Sequence, residues 1–329
     1  MSENKVKKLI MDVDTGSDDA VALMLAILHE DVDLMAVCTV GGGNLPLANT
    51  TENTLRVLQA FGCDAPVYPG CQGAMVKHIA GDRLVPPPWN PVAPDGTPLP
   101  MHVPYLDLPA STRPAEDMHA ASFYVDYLRK ATEPVTIVAT GPMTNLGVAI
   151  AMDPDVFKRN VEQIVVMGGA HQYANATPAS EANVWNDPEA AQLVAHCGAK
   201  VVFIPLDATH KAVVTGDDCK RMRALGNLAG SFAADVIEYR IRVTDVDAPL
   251  HIPNCTPVHD ALAVAYVIDP EVCMDVRHVN LNVGLRDFAE GRTVVDTRYH
   301  DDERNCWFAF DGDRFKFADM LCHAFANFK

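Results

Sequence analysis

Short apolar, β-branched runs alternate with longer helix-like segments along this chain. The apolar runs predict five strands, at residues 8–13, 33–40, 135–139, 161–167 and 200–206. The longer segments predict eight helices, at residues 18–30, 47–61, 116–131, 143–151, 187–196, 228–242, 258–267 and 314–327. Parallel strands are joined by crossovers that usually contain a helix, so the alternation predicts an α/β fold with an open, mostly parallel sheet and helices on both faces.

The domain organisation follows from what interrupts this pattern. No internal repeat or charged linker divides the 329 residues, so we expect a single domain over residues 1–329. The exception is a loop at residues 73–115, where the segment VPPPWNPVAPDGTPLP is too rich in proline for regular structure. A loop of this length is usually functional or disordered. Two interpretations are open: a lid over a site, or a surface excursion that packs on its own sheet.

Composition and charge narrow the range of partners. With 49% hydrophobic residues, the chain can fill a large core. A net charge of −17 with only 26 Lys and Arg argues against nucleic-acid and anionic-membrane partners, which require a basic surface. The nine cysteines form no CxxC pair, and no apolar run approaches 18 residues. We therefore expect reduced thiols and a cytoplasmic protein.

The segment DVDTGSDDA places four carboxylates, Asp12, Asp14, Asp18 and Asp19, immediately after the first predicted strand. Carboxylates at a helix start are common and stabilise the helix by about 0.5–2 kcal/mol, which accounts for Asp18 and Asp19 but not for the other two. Like charges this close oppose folding unless a cation neutralises them. Calcium tolerates irregular oxygen coordination better than magnesium, so the segment favours a calcium site. The spacing is not that of an EF-hand.

Further polar segments follow the predicted strands. In open parallel sheets, ligands bind beyond the carboxyl ends of the strands. DVD, TVGGGN, ATGPMTN, MGGA and LDATH each lie at or just after the end of one predicted strand, so all five are expected at one edge of the sheet.

Two more segments carry candidate chemistry. VHDALAVAYVID places His259 and Asp260 at the start of an apolar helix, where Asp260 could bind a metal or simply cap the helix. NATPASEANVWNDPEAA carries Asn175, Glu181 and Asn183, whose amide and carboxylate groups suit the vicinal hydroxyls of a sugar. An ordinary polar loop before a helix is the competing interpretation.

A strand followed by DxDxG also resembles the haloacid-dehalogenase phosphatases. Such an enzyme needs a lysine and a second acidic pair beyond later strands. Here TGDDC lacks the later aspartate, and Lys211 is the only lysine beside the other edge segments. The phosphatase is therefore kept as an alternative.

Taken in order, DVDTGSDDA, ATGPMTNLG, VMGGA, EANVWNDPEAA and VHDALAVAYVID are similar to segments of the calcium-dependent nucleoside hydrolases, of the inosine-uridine preferring type and its relatives. The similarity runs over nearly the whole chain. It implies a Rossmann-like sheet, a homo-oligomer, and hydrolysis of the N-glycosidic bond of ribonucleosides, such as inosine, guanosine or uridine, to ribose and free base.

The resemblance also implies roles for individual residues. A calcium ion would be held by Asp14, Asp19, the main-chain carbonyl of Thr140, and Asp260. Ribose would contact Asp18, Asn44, Met167, Asn175, Glu181 and Asn183. Asp14 would act as general base and His259 as general acid, with a purely structural His259 as the alternative. Trp89 would stack on the base or pack locally.

Two other functions are weighed against hydrolysis. A nucleoside phosphorylase would need a cation for phosphate, and the sequence shows no Arg or Lys beside the mapped residues. A non-catalytic calcium- or ribose-binding module would keep the ligand carboxylates but show no turnover.

Overall fold

A nine-stranded sheet lies at the centre of the computed structural model, which describes residues 6–43, 45–80, 83, 91–298 and 303–329. The strands, including a separate antiparallel pair formed by β7 and β8, are β1 (Lys7–Val13), β2 (Val32–Thr39), β3 (Val67–Pro69), β4 (Val135–Ala139), β5 (Val161–Met167), β6 (Val201–Ile204), β7 (Val213–Thr215), β8 (Cys255–Pro257), β9 (Val276–Val283), β10 (Thr293–Asp296) and β11 (Cys306–Ala309). The order across the large sheet is β10-β9-β11-β6-β5-β4-β1-β2-β3. The pairs β10–β9 and β9–β11 are antiparallel, and the other neighbours are parallel.

Helices cover both faces of this sheet. They are α1 (Ser17–Leu28), α2 (Leu47–Ala60), α3 (Ala120–Lys130), α4 (Thr144–Met152), α5 (Pro154–Asn160), α6 (Ala182–Asn186), α7 (Pro188–Ala195), α8 (Leu206–Thr209), α9 (Gly216–Arg223), α10 (Leu228–Asp247), α11 (His259–Ile268) and α12 (Arg314–Ala326). Short 3₁₀ helices span Lys77–Ile79, Pro270–Val272 and Asp287–Ala289. Among the described residues, no helix combines the length and the apolar character needed to cross a bilayer.

The predicted fold class is confirmed. All five predicted strands and all eight predicted helices are present, with ends displaced by no more than five residues. The predicted helix at 116–131 begins only at Ala120, because the ring of His119 caps it by accepting the Ala121 N–H at 3.1 Å. Strands β9, β10 and β11 were not predicted. Exposed polar residues interrupt the apolar character of β9 (VRHVNLNV), and β10 and β11 are only four residues long.

Successive side chains of β1 point to opposite faces of the sheet and enter two separate hydrophobic cores. Leu9, Met11 and Val13 face the core formed with α1, α10 and α11, whereas Ile10 faces the core formed with α3, α4 and α7. A parallel sheet needs both faces covered, and this burial explains why its strands read as nearly continuous apolar runs. Helix α1 is apolar beyond its first turn because it packs against α2, α10, α11 and α12.

The described part of the proline-rich loop packs on α2 and α7. Asn53 of α2 accepts the Leu106 N–H at 3.0 Å, and Asp187 accepts the Met75 N–H at 2.8 Å. Between these anchors, His102 reaches the start of α1, where its Nδ1 accepts the Ser17 N–H at 3.2 Å. The loop therefore contributes a side chain to the edge of the sheet where the polar segments gather.

Candidate active site

The carboxyl ends of β1, β4 and β5 meet at one edge of the sheet, as the strand order requires. Asp14 and Thr140 follow β1 and β4, and Met167 ends β5. Asn183, in α6, joins these ends because its Nδ2 donates to the carbonyls of Thr140 at 2.7 Å and Met167 at 3.0 Å. Asn183, which is distant from these strands in sequence, thus links the ends of β4 and β5 where the site forms.

Three buried aspartates converge at this edge. Asp18 and Asp19 lie in the first turn of α1, and Asp260 lies in the first turn of α11. Each offers a carboxylate oxygen, and these oxygens lie within 4.8 Å of one another. Asp19 also accepts the Gly16 N–H at 3.0 Å and the Thr140 hydroxyl at 2.8 Å. Because α1 and α11 pack together, their positive N-terminal ends face the same cluster.

This cluster carries a large electrostatic cost. Burial, followed by the charge of Asp18, raises the pKa of Asp19 to about 6. Burial and the charges of Asp18, Asp19 and Asp14 raise the pKa of Asp260 well above its usual range. Oxygen ligands with surplus negative charge are the set that hard divalent cations prefer. The three carboxylates therefore form a possible acidic metal site.

A second group with metal-binding side chains lies at the far end of α1. His29, Glu30 and His323 also place ligand atoms within 4.8 Å of one another. However, Nδ1 of His29 accepts the Asp31 N–H at 3.2 Å, so the neutral ring carries its proton on Nε2 and offers no lone pair there. Glu30 pairs with Nε2 of His323 at 2.9 Å. This group is thus explained by a side-chain hydrogen bond between the ends of α1 and α12.

Asp14 sits between two glycines that the sequence places at strand ends. A Cβ on Gly43 would lie 2.1 Å from Oδ2 of Asp14, and a Cβ on Gly141 would lie 3.0 Å from its Cβ. Both positions therefore require glycine for the chain to close around this carboxylate, which is only 5% exposed. Gly43 belongs to TVGGGN, so this glycine-rich turn has a specific packing role.

Asp12 does not join the cluster, although it shares the DVDTGSDDA segment. Its oxygens accept hydrogen bonds from the Tyr124 hydroxyl at 2.9 Å and from Nδ2 of Asn145 at 3.2 Å. Burial raises its pKa to about 7. Nδ2 of Asn145 also donates to the Thr39 carbonyl at 3.1 Å. Asp12 therefore ties β1 to α3 and α4, and the negative charge around the metal site is smaller than the sequence suggests.

The candidate sugar ligands occupy the same edge. Glu181 caps α6: its carboxylate accepts the backbone N–H groups of Asn183 at 2.8 Å, Val184 at 3.1 Å and Gly169 at 2.9 Å. Burial raises its pKa. Asn183 and Met167 are buried, whereas Asn175 is exposed and its Oδ1 accepts the Ala182 N–H at 2.9 Å. Asn44 and Trp89 lie outside the described residues.

Sequence reasoning missed Arg240. The presence of this residue at the site overturns the argument that was used against a phosphorylase. A cation does lie beside the mapped residues: Nη1 of Arg240 donates to Oδ1 of Asp18 at 3.0 Å and to the Ser17 hydroxyl at 2.8 Å. The premise used against a phosphorylase was therefore wrong, although this guanidinium is paired with a carboxylate. Its spacing of seven and three residues from the buried Ala233 and Ile237 of α10 was the available signal.

Two histidines flank the cluster. Nδ1 of His259 lies 2.8 Å from the hydroxyl of Thr209, and burial lowers the pKa of His259 to about 3. His102, which sequence reasoning missed, lies over Gly16, and burial lowers its pKa to about 4. Both rings are therefore neutral near neutral pH. His102 could not have been found from its surroundings in sequence, because it comes from the proline-rich loop.

Comparison with known proteins gives a consistent result. The family model described as inosine-uridine preferring nucleoside hydrolase matches residues 9–319. The chain is 34% identical over 292 residues to the pyrimidine-specific ribonucleoside hydrolase RihB of Escherichia coli O9:H4 (strain HS), covering 88% of this chain and 87% of that protein.

Solved structures extend the likeness to the whole fold. The purine-preferring ribonucleoside hydrolase of Gardnerella vaginalis superimposes with a TM-score of 0.84 at 30% identity, covering 97% of this chain and 98% of that chain. A plant nucleoside hydrolase, PpNRh1, gives a TM-score of 0.82 at 26% identity, covering 98% and 99%.

Proposed function

Because the chain belongs to the inosine-uridine preferring nucleoside hydrolase family, we propose that it hydrolyses the N-glycosidic bond of ribonucleosides to ribose and free base. The observation that carries the proposal is the convergence of three buried carboxylates within 4.8 Å at the sheet edge. Its relatives include a pyrimidine-specific and a purine-preferring enzyme, so we assign ribonucleosides as the substrate class without choosing a base.

We propose calcium as the metal, held by Asp14, Asp19, the main-chain carbonyl of Thr140, and Asp260. The donor set supports this assignment because carboxylate and carbonyl oxygens are typical calcium ligands. Asn183 Nδ2 donates to the Thr140 carbonyl, which orients the peptide while leaving its second lone pair for a cation. When bound, a calcium ion supplies positive charge that relieves the carboxylate repulsion and orients water and sugar hydroxyls.

Asp14 is proposed as the general base. Its carboxylate would take a proton from the attacking water as the water oxygen bonds to the anomeric carbon and the glycosidic bond breaks. Positive charge develops on the ribosyl ring while the glycosidic bond breaks, before the bond to the water oxygen is complete. Asp18, Glu181 and Asn183 would bind the sugar hydroxyls and stabilise this charge, with Met167 against the ring and Asn175 at the exposed side. Asn44 is proposed as a further sugar ligand from the resemblance alone.

His259 is proposed to assist departure of the base. If Thr209 donates its hydroxyl hydrogen to Nδ1, the neutral ring carries its proton on Nε2. That N–H then donates a hydrogen bond to the base as negative charge grows on it, which suits a ring that a pKa of about 3 keeps neutral. Trp89 is proposed, from the resemblance, to stack on the base.

We also propose that the protein is a cytoplasmic homo-oligomer without a nucleic-acid partner. Family resemblance supports the oligomer, and a net charge of −17 supports the exclusion of nucleic acid. Light scattering on the purified protein would give its mass in solution.

The deciding experiment measures ribose release from inosine, guanosine, uridine and cytidine side by side in phosphate-free buffer. We expect release from at least one of them, loss of release in excess chelator, and recovery with added calcium. Strict dependence on phosphate would instead indicate a phosphorylase, and phosphate release from nucleotides would indicate a phosphatase. Binding of a nucleoside or of calcium without any turnover would indicate a non-catalytic binding module.

A further inference from the structure

Arg240 is a buried cation at the start of α1. It extends from the middle of α10 and is only 4% exposed. Its Nη1 donates to Oδ1 of Asp18 at 3.0 Å and to the Ser17 hydroxyl at 2.8 Å. An arginine buried in this way is held by its charged partner, because burying an unpaired guanidinium is costly. The side chain is therefore built into the carboxylate cluster.

The position of Arg240 bears on which carboxylates of the cluster bind the cation and which bind the sugar. By distance alone, Asp18 is as well placed for a cation as Asp19 and Asp260, since one oxygen of each lies within 4.8 Å of the others. Among these three, the guanidinium forms its salt bridge with Asp18, and it acts on Asp260 only through longer-range attraction. It neutralises that carboxylate and repels a second cation from it. Asp19 has different partners: the Gly16 N–H, the Thr140 hydroxyl and the Asp260 carboxyl group, none of which is a cation.

We propose that Arg240 is a positioning residue that reserves Asp18 for the ribose hydroxyls and keeps it out of the set of cation ligands. The inference rests on the proposed ribonucleoside hydrolysis and deepens it. The ion pair uses Oδ1 of Asp18, so Oδ2 is the oxygen that meets the sugar. Removing the guanidinium releases Asp18 toward the cation and away from the substrate.

The test compares three variants with the wild-type protein. Arg240→Met removes the charge at similar length, and Arg240→Lys restores a charge. Arg242→Met is the matched control, because Arg242 lies two residues along the same helix, is exposed and stacks over Tyr239. Each variant is assayed for KM and kcat with the preferred nucleoside at saturating calcium. Calcium affinity of the nucleoside-free protein is measured separately by calorimetry.

We expect Arg240→Met to raise KM at least tenfold and kcat to change much less, with calcium bound as tightly as in the wild type or more tightly. Arg240→Lys should recover part of the KM, and Arg242→Met should match the wild type in both measurements. An unchanged KM in Arg240→Met, or calcium binding weakened tenfold, overturns the proposal. If Arg240 had a purely structural role, Arg240→Met would lower the melting temperature and would change KM and kcat together. That result also overturns the proposal.

Two further outcomes are distinguishable. If Arg240→Met does not fold, Arg240→Gln carries the test, because it removes the charge but keeps a polar side chain: a raised KM with calcium affinity that is not weakened supports the proposal, and wild-type values for both refute it. If the wild-type protein releases no ribose, the proposed function fails. Calorimetry then still decides on Arg240, since tighter calcium binding by Arg240→Met supports its role and unchanged or weaker binding removes it.

Discussion

Removal of divalent cations should make the stability of this protein depend on pH through the buried cluster. Burial and the neighbouring Asp18 raise the pKa of Asp19 from 3.8 to about 6 in the metal-free fold. Between these two values the folded chain holds a proton that the unfolded chain has lost. The contribution of Asp19 to the free energy of unfolding of the metal-free protein therefore falls as pH rises through this window, and is largest below it.

The size of the effect follows from that shift. A change from 3.8 to about 6 is roughly two pH units, and each unit corresponds to about 1.4 kcal/mol, so Asp19 alone contributes about 3 kcal/mol. Asp260 acts in the same direction because its pKa is also raised. Asp12, with a pKa of about 7, adds a similar dependence, but its partners are Tyr124 and Asn145 rather than the cluster. Its contribution should be the same with and without calcium.

The assay is urea unfolding, followed by circular dichroism, of metal-stripped and calcium-saturated protein from pH 4 to pH 7.5. The stability difference between the two samples cancels Asp12 and the general charge repulsion. Because calcium must displace protons from its ligands, this difference should grow by about 1.4 kcal/mol per pH unit for each displaced proton and level off above the raised pKa values. A difference that is constant over this range would refute the electrostatic account of the site.

Three other predictions concern single residues. Asp14→Asn should lower kcat about 100-fold or more, the usual contribution of a general base, while calcium binding is weakened but measurable. His259→Ala should lower kcat on natural nucleosides about 100-fold and have little effect on p-nitrophenyl riboside, whose leaving group needs no proton. Asp187→Ala should lower the free energy of unfolding by about 3 kcal/mol, because the lost carboxylate leaves the Met75 N–H, the Thr144 hydroxyl and the Ala190 N–H without their acceptor. Steady-state kinetics tests the first two, and urea unfolding tests the third.

Each of these has an outcome that would count against it. Near-normal turnover by Asp14→Asn would remove the assigned base. Equal losses on both substrates would show that His259 does not act on the leaving group, and the same comparison with His102→Ala would show whether the second histidine does. For Asp187, the control is Asp155→Ala in α5, an exposed first-turn carboxylate whose loss should cost less than about 1 kcal/mol. Equal destabilisation by the two changes would contradict the role of Asp187 as an anchor of the loop.

Local and repetitive features of the fold were predictable from the sequence. Buried parallel strands read as apolar runs because both of their faces are covered, and this was enough for β1, β2, β4, β5 and β6. Strand β9 escaped prediction because exposed polar residues interrupt its apolar character. The four-residue strands β10 and β11 and the three-residue strand β3 are too short for a clear periodic signal. The edge at which ligands gather also followed, since parallel strands carry their carboxyl ends to one side.

The sequence by itself determined that acidic and amide side chains would stand at the ends of particular strands and helices, because strand alternation and helix capping act over a few residues. Only the tertiary structure decided which of those charges meet. It turned Asp12 toward Tyr124, joined Asp18 to Arg240 from more than two hundred residues away, and brought Asp260 to Asp19. Such pairings depend on how helices pack across the sheet, and no local pattern in the chain encodes that geometry.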